Sequence, residues 1–151
     1  MAIRKIVEMG KDDILRKHSR RVTKFDRRLA VLLDDMAETM YEADGVGLAA
    51  PQVGVLRRVV AVQRFDKQGE PFEFFLNPEI LGRSSATQFG GEGCLSVPDL
   101  SGNVERAEWI VLRYRDEEWR EHQDTIRGFT AVIFQHEVDH LYGRLFIDYL
   151  K

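Results

Sequence analysis

The stretch FQHEVDHLYG, residues 134–143, sets two histidines four apart with a glutamate directly after the first. H-E-x-x-H is the pattern of many zinc hydrolases. On a helix, residues four apart lie one above the other, so His136 and His140 can reach one ion without straining the backbone. Glu137 stands about 100° round from His136, within reach of a water on that ion. Upstream, Ile126, Phe129, Val132 and Ile133 continue the histidine face, which places the imidazoles below the surface. The competing reading is two core histidines beside an unrelated glutamate. A buried carboxylate without a partner or a task is costly, and that favours the metal reading.

A catalytic metal usually takes three protein ligands, and this helix offers two. After His140 the sequence runs LYGRLFIDYLK, in which Asp148 is the one candidate. His18 and His122 lie in highly charged segments and are expected to be exposed. The single cysteine, Cys94, sits in GGEGCLSVP, where Gly90, Gly91 and Gly93 permit close backbone approach. A lone cysteine is normally a small buried hydrophobe. A thiolate is nevertheless a good ligand for zinc or ferrous iron, and the histidine pair lacks one. The expected site is Cys94, His136 and His140, with water in the fourth position.

Several elements must hold these groups. Residues 25–45 read as a helix with Leu29, Leu32, Leu33, Met36, Met40 and Ala43 on one stripe, Asp26 as its cap and Gly45 at its end. Residues 55–65 and 71–80 are rich in β-branched and aromatic residues, and DKQGEP between them makes a hairpin. Residues 103–115 read as one further strand. DEE turns that strand into WREHQDTI, and the motif helix follows over 126–142, closed by Gly143. The order predicts an α+β fold: antiparallel sheets packed around a C-terminal helix that carries H-E-x-x-H, with a second helix near the N-terminus.

With 151 residues, one domain over 1–151 is expected. A net charge of -3 argues against a DNA binder that works by bulk charge. One basic run, residues 16–28, stands apart; it reads as a solvated face or as a contact for an anionic surface such as RNA. No apolar run approaches the ~20 residues of a membrane span, no signal peptide is evident, and one cysteine makes no internal disulfide, so a cytoplasmic enzyme is expected.

Three motifs occur in order: GVGLAAPQ (residues 45–52), EGCLS (92–96) and QHEVDHL (135–141). Together they resemble the peptide deformylases, which remove the formyl group from the N-terminal methionine of new proteins, and the resemblance runs from about Ile3 to Leu150. It implies that Cys94, His136 and His140 bind one divalent metal, Fe²⁺ in the cell, with Zn²⁺, Ni²⁺ or Co²⁺ in purified protein. It implies that Glu137 handles protons as a metal-generated hydroxide attacks the formyl carbon. The Leu95 N–H and the Gln52 amide are the implied donors to the developing oxyanion. N-formylmethionyl peptides and nascent chains are the implied partners.

The substrate backbone is expected as an added strand along Gly45, Val46 and Gly47, through the Val46 N–H and C=O. Val46, Phe129, Val132 and Ile133 are the expected wall of a methionine slot, although each of the last three would serve equally as plain core. Gly93 and Arg106 complete the residues expected at the substrate. The sequence departs from the family's pattern at GKDDILR near the N-terminus and at Gly90, where many relatives carry a branched apolar residue. It also stops at LFIDYLK, without the C-terminal helix through which many relatives dock on the ribosome, which leaves the basic run as the surface for a weak ribosome contact. The rival activities are a metal-dependent endopeptidase, a Cys–His nucleophilic hydrolase that needs no metal, and a non-catalytic relative that only binds metal or formylated peptide.

Overall fold

The computed structural model describes residues 2–11 and 13–150. Helix α1 (Arg27–Glu42) opens with the Asp26 carboxylate accepting the Leu29 N–H at 2.9 Å. Its apolar stripe packs on Leu48, Val59, Ala61 and Leu76. The helix closes differently from expectation. Asp44, not Gly45, takes the left-handed conformation (φ 56°), and the Gly45 N–H then reaches back to the Met40 carbonyl. An aspartate tolerates this region because its short polar side chain satisfies local backbone.

Seven strands follow: β1 (Gly47–Ala49), β2 (Val59–Gln63), β3 (Phe72–Arg83), β4 (Thr87–Cys94), β5 (Val97–Ala107), β6 (Trp109–Arg115) and β7 (Glu121–Arg127). Strands β1, β2, β3, β6 and β7 form one antiparallel sheet in the order β1-β2-β3-β6-β7, and β4 pairs with β5 in a second. The expected hairpin is β2–β3, with Val60 opposite Phe75. Strand β2 reads VVAVQ because both its faces are buried: Val59 and Ala61 meet α1, while Val60 and Val62 meet α2 (Gly128–Leu141).

The expected single strand over 103–115 is two strands in different sheets. Glu108 separates them, donating to the Ala86 carbonyl and accepting from the Gly128 N–H, so the chain leaves one sheet and enters the other within one residue. Helix α2 starts at Gly128 rather than 126, because Ile126 is still paired with Ile110 across β6–β7. It is also buried on all sides from Thr130 to Leu141, not along one stripe. One side packs on the large sheet through Ile133, Phe134, Val138 and Leu141. The other faces β4–β5, the turn Ala50–Val53 and the turn Phe146–Tyr149. Gly143 ends α2 at φ 77°, where a Cβ would overlap the Arg16 carbonyl. None of the described helices is long and apolar enough to cross a membrane.

Candidate active site

Four pieces of backbone converge beside α2. Its middle turns carry His136, Glu137 and His140, all buried. The end of β4 brings Cys94, the turn Ala50–Val53 brings Gln52, and the loop into β1 brings Gly45 to Gly47. One ligand atom each from Cys94, His136 and His140 lies within 4.8 Å of the other two. Cys94 Sγ is 3.4 Å from His140 Nε2. The donor set fits a metal, since one thiolate and two imidazoles suit Fe²⁺ or Zn²⁺. Glu137 adds to the fit, because its Oε1 is buried with no hydrogen-bond partner, a costly state unless water or an ion completes it.

The Gln52 side chain is fixed at both ends. Its Oε1 accepts from the Ala49 N–H at 2.9 Å, and its Nε2 donates to Ser96 Oγ at 3.2 Å and to Cys94 Sγ at 3.5 Å. Burial pushes the Glu137 pKa up to about 7, against the pull of a charged His136. For His136, burial opposes the charge, but Glu137, Cys94 and Glu92 outweigh it and push the ring up to about 10. Burial instead drives His140 well below its ordinary value, reinforced by the His136 charge.

A cavity of about 400 Å³ opens over this cluster. Of the expected residues, Gly45, Val46, Gly47, Gln52, Gly93, Cys94, Leu95, Phe129, Val132, Ile133, His136 and Glu137 line it. His140 lies beneath, 1% exposed. Phe129 is 54% exposed at the rim, where it meets Phe65, so it is no core residue. The Val46 carbonyl already accepts from the Gln63 N–H, which leaves its N–H for an added strand. Gly90 does not line the cavity, and a Cβ there would meet nothing within 4 Å. Asp148, the alternative third ligand, faces away and pairs with Arg16 at 2.7 Å. His18 is exposed, whereas His122 is half-buried against Asp116 at 2.7 Å.

Arg106 is not at the cavity. It is 5% exposed, grips Glu92 through Nε and Nη2 at 2.8 and 2.9 Å, and gives Nη1 to Asp139 at 2.8 Å. Glu92 in turn accepts from His136 Nδ1 at 2.9 Å, which orients the ring and leaves Nε2 as the atom available to an ion. Burial raises the Glu92 pKa, but Arg106 and His136 more than offset it and keep the carboxylate ionised. Glu92 was not foreseen. The available signal was its spacing: on a strand, Glu92 and Cys94 share one face.

A model of the polypeptide deformylase family matches residues 3–151. The chain belongs to this family. It is 44% identical over 161 residues to a peptide deformylase of Leptospira biflexa, covering 100% of this chain and 89% of that protein. It is 48% identical over 148 residues to one of Caldicellulosiruptor bescii, covering 98% and 86%. Among solved structures, the Thermotoga maritima peptide deformylase superposes with a TM-score of 0.93 at 39% identity, covering 100% and 99%. A Met-Ala-Ser-bound class I type b peptide deformylase from Acinetobacter baumannii superposes at 0.92 with 39% identity, covering 99% of each chain. The fold expected from the sequence is therefore the deformylase fold, and the chain is a metal-dependent hydrolase of that family.

Proposed function

We propose that this chain acts as one catalytic domain that removes the formyl group from N-formylmethionine at the start of new proteins, releasing formate and a free amine. The observation that carries the reading is the triad of ligand atoms beside an unpartnered, buried carboxylate at the floor of a 400 Å³ cavity. Cys94, His136 and His140 would hold the ion, which we assign as Fe²⁺ in the cell. When bound, such an ion polarises the formyl oxygen and brings the pKa of water to about 7.

The chain's own groups do the rest. Glu137 takes the proton from the attacking water and returns it to the leaving nitrogen. The Leu95 N–H donates to the oxygen as its charge develops, and Gln52 Nε2 does so by giving up its 3.5 Å contact with Cys94 Sγ, each contribution on the order of 3 kcal/mol. The Val46 N–H holds the substrate backbone, and Gly45 and Gly47 keep the rim low enough for it to approach. Val132 and Ile133 flank the methionine side chain, with Phe129 and Gly93 at the edges.

Substrate meets the enzyme on nascent chains, and a weak ribosome contact would fall on the basic run, of which Arg27 and Arg28 line a groove with Arg57, Val31 and Val55. Arg16 is no part of it, being paired with Asp148. The deciding experiment is formate release from formyl-Met-Ala-Ser by anaerobically purified protein, with metal analysis alongside. Turnover that follows Fe²⁺ content and stops with a chelator supports the reading. Turnover indifferent to chelators, with covalent labelling of Cys94, would replace it with a cysteine nucleophile.

A further inference from the structure

The turn Phe146–Tyr149 follows α2 and folds back against it. We propose that Tyr149 is a positioning residue for the metal site, holding His136 in place through Asp139, Arg106 and Glu92. Its hydroxyl donates to Asp139 Oδ2 at 2.9 Å, the same oxygen that accepts Arg106 Nη1 at 2.8 Å. Its ring lies against the Arg106 guanidinium, 4.7 Å from the ring centroid. The other two donor groups of that guanidinium hold Glu92, and Glu92 holds His136 Nδ1. One aromatic side chain thus touches both the cation and one anion of a buried network whose far end is a metal ligand.

The physical case rests on burial. Glu92, Arg106, Asp139 and His136 are each under 10% exposed. Buried ion pairs hold a geometry only when every donor and acceptor is satisfied, and a partly satisfied network loosens. Tyr149, 41% exposed, closes the side of the guanidinium that the two carboxylates leave open. Asp139 sits between His136 and His140 in sequence, so its hold also fixes the roll of α2 at the site.

The same turn has a separate anchor, and this makes the idea testable. Arg16 grips Asp148 bidentately at 2.7 and 3.0 Å, on the outer side of the turn. That pair shares no hydrogen bond with the buried network. This inference rests on the metal reading above, so the experiment begins with Co²⁺-loaded wild-type full-length protein.

The rate of Co²⁺ release to an excess of chelator, the visible Co²⁺ spectrum and the thermal midpoint of the metal-free protein are compared across variants. Tyr149→Phe is expected to release Co²⁺ about tenfold faster, the usual lower cost of losing an outer hydrogen bond behind a ligand, and to shift the spectrum. Its metal-free midpoint should stay close to wild type. Asp148→Asn should lower the midpoint and leave release unchanged. Arg106→Lys, which keeps charge but loses the planar fork, should release faster still. Release from Tyr149→Phe within twofold of wild type, or equal acceleration by Asp148→Asn, would overturn the positioning role. If wild type itself retains no Co²⁺, the metal reading falls, and this inference with it.

Discussion

Glu137 sits in a dry place. The residue is 5% exposed, and burial is what lifts its pKa to about 7. Glu137→Gln keeps the shape and loses the base, so kcat/KM should fall by about 10² to 10⁴ with metal content unchanged; a loss smaller than about tenfold would remove the assigned role. In the metal-free protein the same residue makes a stability prediction. The folded chain keeps the proton up to about pH 7, whereas the unfolded chain releases it near the ordinary 4.5. Folding takes up a proton in that window, so this group's contribution to stability falls as pH rises from 4.5 through 7. Metal-free Glu137→Gln should therefore match wild type in acid and melt higher by several degrees above pH 7, as scanning calorimetry at the two pH values would reveal. For Cys94→Ala, metal analysis should find little bound ion, since two imidazoles seldom hold a catalytic metal. These residues were legible because their types are rare and their spacing is short. Glu92 was not, and Arg106 was named at the substrate rather than behind a histidine: their partners lie 44 and 33 residues away, and a sequence gives a guanidinium no direction.

Among the elements at the cavity, the start of β1 leaves little room. A Cβ on Gly47 would stand 2.6 Å from Glu137 Oε2 and 2.9 Å from Ile133 Cγ2. Gly47→Ala must push the base aside, and a displacement near 1 Å can cost on the order of 10² in rate. Overpacking should also cost about 1–3 kcal/mol of stability. At Gly90 the opposite holds. Nothing lies within 4 Å of its Cβ position, so Gly90→Ala should leave stability within about 0.5 kcal/mol and activity intact. Urea titration and steady-state kinetics of the two variants give a direct contrast. The long helix and the β2–β3 hairpin were legible from apolar period and turn residues. Strand β4 was not, because TQFGGEGC carries three glycines and little β-branching. The break at Glu108 was hidden too, since neither glycine nor proline marks it; it exists only because two sheets compete for the strand.

At the scale of the molecule, charge is unevenly spread. The net charge is -3, yet Arg27, Arg28 and Arg57 share one groove with Arg4. Co-sedimentation with ribosomes at low salt, lost at moderate salt and lost with Arg27→Glu and Arg28→Glu together, is the expected outcome of the proposed contact. Binding that survives high salt, or ignores those changes, would exclude this surface. The junction of Gly143 with the Arg16 backbone has a different kind of consequence, one of timing. Ser19 donates to the Leu141 carbonyl in the same seam, so the first and last parts of the domain close on each other. During its own synthesis the chain must wait for residues 136–143 to emerge before that seam or the ligand set can form. Pairings so far apart in sequence form slowly, because the loop must be closed before any contact offsets the cost. Until Gly143 has emerged, the first residues of the chain have no partner in that seam and Cys94 has no histidines beside it.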